Sequence, residues 1–60
     1  MKDLWQVEVE TRRQGAIGIF TFQTFQVRAT TPELAVLWAR EDATMDGLET
    51  RFILDPVRLS

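Results

Sequence analysis

The side chains that could do chemistry in this chain are carboxylates, arginines and threonine hydroxyls. The sequence has no His, Cys or Tyr, its single Lys is residue 2 and its single Ser is residue 60. The missing types are those that most often transfer protons, attack carbonyl carbons or bind transition metals at neutral pH. We therefore expect a protein that is not an enzyme and that uses no cofactor and no metal.

Acidic residues occur in two groups whose spacing could suit a metal ion. A magnesium site normally needs further oxygen ligands or a substrate phosphate that converge in space. We therefore interpret both groups as solvated surface rather than as a magnesium site or an acid–base pair. The first group projects from one face of a strand, and the second surrounds the end of a helix: Glu8 and Glu10, and Glu41, Asp42 and Asp46.

A basic pair lies in the segment Thr11–Gly18, which carries two glycines and reads as a long hairpin tip. Arg12 and Arg13 would there form a finger that docks on an acidic protein patch or enters a nucleic-acid groove. The simpler interpretation is two solvated arginines that keep a loop soluble. Ile17 adds an apolar element to this tip, which favours a protein partner.

Two phenylalanines are out of phase with the rest of their strand. Phe20 and Phe22 share one parity, whereas Phe25 and Val27 share the other. We favour a β-bulge near Gln23 that puts all of them on the core face, because large aromatic side chains are usually buried. Without a bulge, the first two would form an aromatic patch on the open sheet face. The candidate partner-binding residues are Arg12, Arg13, Phe20, Phe22, Arg28 and Arg51.

The elements that must position these residues follow from periodicity and capping. Alternating polarity predicts a strand over about residues 4–10, and a run rich in Phe, Thr and Val predicts a second over about residues 19–30. A short third strand should span about residues 49–54. Thr31, Pro32 and Glu33 match a helix start, and the helix should run over about residues 32–43. The chain is thus expected to be a single α+β domain over residues 1–60. Its ββαβ order would place one helix on a three-stranded sheet.

One face of the predicted helix is apolar and should pack on the sheet. We expect this face to include Trp38 as a core residue, and we expect Leu37 to be partly exposed. After the third strand, Asp55 and Pro56 should end the sheet and begin a weakly ordered tail. The predicted core face consists of Leu34, Ala35, Trp38, Ala39 and Ala43.

Composition limits the class of partner. The net charge is −2 and the isoelectric point is about 4.9, which disfavours general binding to nucleic acid. No apolar run approaches the ~18 residues of a membrane span. The absence of Cys fits a reducing interior. We expect a cytoplasmic protein without membrane contact.

Four segments carry a resemblance to a known family: Trp5–Glu8, Phe25–Val27, Ala29–Ala35 with Leu37 and Ala39, and Gly47–Glu49. In these segments the chain resembles the small early proteins by which certain lytic podophages inhibit host RNA polymerase. The similarity covers about two thirds of the chain. It implies a phage protein that binds a host protein through a strand arginine pair and an acidic strip. With a gap of one residue, Arg51 matches the first arginine of that pair. Ile53 occupies the second position, so the pair itself is absent.

Three functions are compatible with these features. The first is a non-enzymatic binding protein, encoded by a phage or mobile element, that inhibits or modulates a bacterial host protein by occlusion. The second is a single-stranded nucleic-acid-binding protein in which Phe20 and Phe22 stack on bases. The third is an assembly protein that pairs through an exposed edge strand, and a homodimer belongs with this interpretation.

Overall fold

The computed structural model describes residues 2–60, which form a four-stranded sheet with one helix on one face. The predicted α+β class and ββαβ order are confirmed. A short fourth strand is added where a weakly ordered tail was expected. The elements in chain order are β1 (Asp3–Arg13), β2 (Thr21–Ala29), α1 (Pro32–Met45), β3 (Leu48–Ile53) and β4 (Val57–Arg58).

Strand β1 is the centre of the sheet. β2 pairs with one side of it, β3 and β4 pair with the other, and all these pairs are antiparallel. β2 and β3 therefore run in the same direction with β1 between them. The β1–β2 register is continuous from Thr11 opposite Thr21 to Asp3 opposite Ala29.

β3 and β4 behave as one strand with a break. The Leu54 N–H donates to the Glu8 carbonyl at 3.0 Å, and the Leu59 N–H donates to the Leu4 carbonyl at 2.7 Å. Pro56 lies between these two contacts, and it has no N–H with which to continue the ladder. Both sides of β1 are therefore covered, whereas the outer edge of β2 has no neighbouring strand within residues 2–60.

The core is a thin layer between β1, β2 and one stripe of α1. The predicted alternation of β1 is confirmed, because every second residue from Trp5 to Thr11 is buried and faces the helix. The buried stripe of α1 consists only of alanines, whose small side chains let the helix lie close to the sheet. The buried residues are Trp5, Val7, Val9, Thr11, Val27, Ala29, Ala35, Ala39 and Ala43, with Phe25 and Ile53 packed against them.

The start of α1 is as predicted, and its end lies slightly later. Thr31 caps the helix, since its side-chain oxygen accepts a hydrogen bond from the Leu34 N–H at 3.2 Å. Pro32 is the first helical residue. The helix ends at Met45 rather than near Ala43 and is stopped by Gly47, which has a φ of +79°.

The predicted burial of Trp38 is wrong. Its side chain is 44% exposed, and Leu37 is exposed to a similar extent, as expected. Successive helical residues are rotated by about 100°, so Trp38 lies beside the Ala35–Ala39 stripe rather than within it. A helix that packs at the distance set by alanine has no space for an indole beneath it.

The bulge predicted near Gln23 is absent. The β1–β2 register shows no shift over β2, so Phe20 and Phe22 do not join the core as favoured from the sequence. The irregularity occurs on the other side of β1, where the pairing with β3 shifts between Val9 and Thr11. Phe22 therefore lies on the sheet face opposite the helix, which was the alternative interpretation.

Candidate binding site on the open sheet face

The sheet face that α1 leaves uncovered, here called the open face, carries most of the predicted binding residues. Its members follow from the register of β1 with its neighbours and from the contacts that their side chains make. They include Glu8, Glu10, Arg12, Phe20, Phe22, Thr24, Gln26, Arg28, Glu49 and Arg51.

Arg12 is a strand residue and not part of a hairpin finger, so the predicted position of the basic pair is wrong. Arg12 and Arg13 are the last residues of β1, opposite Glu49 and Leu48 of β3. Pairing with β3 extends β1 beyond the alternating segment from which its end was predicted. The Arg12 Nε and Nη2 atoms each lie 2.8 Å from the Glu49 Oε1, and Nη1 donates to the Gly18 carbonyl at 3.1 Å.

Arg51 forms a second, two-pronged ion pair. Its Nε and Nη2 atoms donate to the two carboxylate oxygens of Glu10 at 2.9 and 3.0 Å. The Arg51 side chain is 63% exposed, whereas that of Glu10 is 16% exposed. Hydrogen bonding by Arg51 lowers the pKa of Glu10, although desolvation opposes this, and the same hydrogen bond raises the pKa of Arg51.

Phe20 joins the two ion pairs. The Cζ atoms of Arg12 and Arg51 lie 4.3 and 4.4 Å from the centre of its ring, within the range of cation–π contacts. These contacts give the ring a partly buried place outside the core. We call Glu10, Arg12, Phe20, Glu49 and Arg51 together the arginine–phenylalanine cluster.

The loop after β1, residues 14–20, projects an apolar tip beside this cluster. Ile17 is fully exposed and Ile19 is 89% exposed. The base of the loop is fixed, because the Gln14 N–H donates to the Gly47 carbonyl at 2.9 Å. The sequence drew attention to Ile17. It assigned Ile19 to a strand, although Gly18 immediately before it was a signal that the loop continues.

The remaining predicted residues lie at different distances from the cluster. Phe22 is opposite Glu10 and 48% exposed, so it extends the apolar surface of the cluster. Arg28 is opposite Leu4, six residues further along β2, which is about 20 Å away. Arg13 and Arg28 are exposed. The structure thus brings together Arg12, Phe20, Phe22 and Arg51, with Arg13 adjacent in sequence, and leaves Arg28 apart.

The carboxylates that the structure describes are not clustered for binding a metal ion. Within residues 2–60, no group of three or more carboxylates is placed so that it could hold a metal ion. Glu10, the least exposed carboxylate of the open face, is hydrogen-bonded to Arg51.

Within residues 2–60, no helix has the length and apolar character needed to cross a membrane.

Comparison of the chain with protein-family models, with curated proteins and with solved structures gives no match.

Proposed function

We propose that this chain is a small protein-binding module, encoded by a phage or mobile element, that occludes a surface of a bacterial host protein. The observation that carries the proposal is the exposed aliphatic tip, Ile17 and Ile19, beside the arginine–phenylalanine cluster. Burial of each aliphatic side chain by a partner would contribute about 1.5–3 kcal/mol. The resemblance to the podophage inhibitors of host polymerase supports a host protein as the class of partner.

The arginine–phenylalanine cluster suits a binding role because its side chains are already held in place. Carboxylates and one aromatic ring fix both arginines, so a partner that contacts Arg51 would immobilise little additional side-chain motion. Arginine and aromatic residues also dominate the residues that carry most binding energy in protein interfaces. A partner with an apolar pocket for the tip and carbonyl or carboxylate oxygens around it would match this surface.

Single-stranded nucleic acid is the second candidate, favoured by the exposed ring of Phe22. Two features weigh against it. The ring of Phe20 is already in contact with two guanidinium groups, so it offers bases less free surface for stacking. The net charge of −2 also opposes binding to phosphates.

The test is a capture experiment that separates these two candidates. Immobilised protein is exposed to bacterial lysate with and without nuclease, and captured proteins are identified by mass spectrometry. We expect a defined protein that is retained after nuclease treatment and lost with the Ile17→Asn/Ile19→Asn variant. The purified pair should then bind in a fixed stoichiometry by calorimetry.

A matched control distinguishes the tip from exposed apolar surface in general. Met45 is 82% exposed at the end of α1, so Met45→Asn removes a comparably exposed apolar side chain elsewhere. This variant should retain the partner. Capture that depends on nucleic acid and weakens steeply with salt would replace the proposal with the nucleic-acid function. If the tip variant and the Met45 variant lose the captured partner to the same extent, the tip is not part of the binding site.

A further inference from the structure

The outer edge of β2 is open over nine residues and has few of the features that usually block edge pairing. Natural sheets protect such edges with Pro, Lys, bulges or inward-pointing charges. The β2 sequence, T-F-Q-T-F-Q-V-R-A, has neither Pro nor Lys, and its register on β1 is continuous. Its only charged residue, Arg28, is next to the last.

The opposite edge of the same sheet is protected. The β3–β1 register is irregular, Pro56 interrupts the strand, and charged residues occur along it at Glu49, Arg51 and Arg58. The unprotected edge of β2 therefore does not reflect a general lack of edge protection in this chain. The difference between the two edges indicates that β2 is the edge adapted for pairing.

The flank of α1 above β2 is also apolar and exposed. Val36 shares a groove with Asp55 and Pro56, so that flank of the helix overlies the β3–β4 side. Residues two positions away in either direction lie on the opposite flank, because each step rotates by about 100°. Leu34 and Trp38 therefore lie on the β2 side, where both are more than one third exposed.

We propose that β2 pairs with β2 of a second copy of this chain, antiparallel about a two-fold axis at Phe25. The axis at Phe25 gives the longest overlap, because this residue is the midpoint of Thr21–Ala29. In this register Thr24 faces Gln26 of the second copy. Phe22 faces Arg28, which places an aromatic ring opposite a guanidinium and no like charges opposite each other.

The apolar helix flank supplies the area that a strand pair lacks. A stable interface needs roughly 1,200 Å² in total, and one pair of strands alone falls short of this. The two-fold axis is perpendicular to the sheet, so both helices lie on the same side of the eight-stranded sheet. Leu34 and Trp38 of each copy then border the axis. Both open faces remain uncovered, so the dimer does not depend on the proposed function.

The test compares two double variants at exposed positions that differ only at residue 26, which is positively charged in one variant and negatively charged in the other. Thr24→Lys/Gln26→Lys puts lysines opposite lysines twice in the proposed register, whereas Thr24→Lys/Gln26→Glu puts opposite charges there. Sedimentation equilibrium should give wild-type protein twice the chain mass of 7.0 kDa. We expect the first variant to be monomeric and the second to be dimeric, with both retaining the wild-type circular dichroism spectrum.

Asp55→Lys is the control for net charge, since it also raises the net charge by two but lies at an exposed position between β3 and β4, on the side of the sheet opposite β2. It should remain dimeric. A wild-type protein that is monomeric up to about 1 mM would overturn the proposal. A Lys/Lys variant that stays dimeric would exclude the β2 edge. A Lys/Glu variant that stays monomeric would overturn the Phe25-centred register.

Discussion

Phe20 is a large aromatic side chain that the fold places outside its core. Its ring contacts Arg12 and Arg51, and each arginine is held in turn by a glutamate. The rule that aromatic rings are buried among apolar residues therefore fails here for a physical reason. A ring face is also a good surface for a guanidinium group, and this contact needs only partial burial.

Replacement of Phe20 measures what this ring contributes. Phe20→Ala should lower the free energy of unfolding by about 1–2 kcal/mol, because it removes both the half-buried ring surface and the cation–π contacts. Phe20→Leu retains most of the apolar surface and should cost less than half of that. Urea denaturation of the three proteins checks this. Equal losses for Ala and Leu would show that the aromatic face, and not the area, is what matters.

The ion pair between Glu10 and Arg51 predicts a dependence of stability on pH. Because its pKa is lowered in the folded state, Glu10 stabilises the fold above its ordinary value of 4.5, and this contribution is lost as the pH falls through the lowered pKa. The melting temperature of wild type should exceed that of Glu10→Gln at pH 7, and the difference should shrink below pH 4.5. In an Arg51→Ala background, the same substitution should lose this dependence on pH.

At the scale of elements, the alanine stripe of α1 determines which side chains the helix buries. Ala39 is fully buried against the sheet, whereas Leu37 points away from it. Ala39→Leu should therefore destabilise the fold by about 1–3 kcal/mol through overpacking. Leu37→Gln should change stability by no more than about 0.5 kcal/mol. Thermal and urea denaturation of both variants checks this, and a neutral Ala39→Leu would contradict the burial of the alanine stripe.

The elements were predictable where a local signal determines them. Alternation located β1, and the Thr31–Pro32 cap located the start of α1, because both signals act through neighbouring residues. The rotation of the helix was not predictable from its apolar residues alone. Leu34, Trp38 and the alanines all lie on one broad apolar surface, and only contact with the sheet selects the alanines.

The candidate site was predictable in composition but not in arrangement. Five of the six proposed residues lie at or next to the cluster, yet the sequence placed Arg12 in a loop and favoured a bulge for Phe20. Both errors have one cause. The partners of these residues, Glu49 and Arg51, come from β3, more than 25 residues later in the chain. Such pairing across the sequence leaves no local pattern.

For the molecule as a whole, the small core limits stability. The largest fully buried side chains are Val7, Val9 and Thr11, which is little apolar volume for a 60-residue chain without disulfides. A dimer through β2 would stabilise the fold by mass action, so the melting temperature should rise with protein concentration. Calorimetry over a hundredfold concentration range checks this. The monomeric Thr24→Lys/Gln26→Lys variant should show no such rise.

Because the molecule is elongated, the proposed binding tip lies away from most of the residues that stabilise the fold. The molecule extends 40 × 17 × 13 Å, and the tip lies at the opposite end of β1 from Leu4. Insertion of Gly-Ser-Gly-Ser between Ala16 and Ile17 should cost less than about 1 kcal/mol in stability, because the loop is exposed and its base is held elsewhere. The same insertion should abolish capture of the protein partner. An unfolded insertion variant would show that the tip also supports the fold.

The pairing of Leu4 with residues 59 and 60 has a mechanical consequence. The Leu4 N–H donates to the Ser60 carbonyl, and the Leu59 N–H donates to the Leu4 carbonyl. These segments are antiparallel neighbours. A force that pulls them apart, perpendicular to the strands, therefore loads their hydrogen bonds one after another, which is the unzipping geometry. A force directed along the strand axes would instead shear the strands past each other and load many hydrogen bonds at the same time. Tethered through these two segments, the protein should therefore open at low force, beginning at the end farthest from the tip.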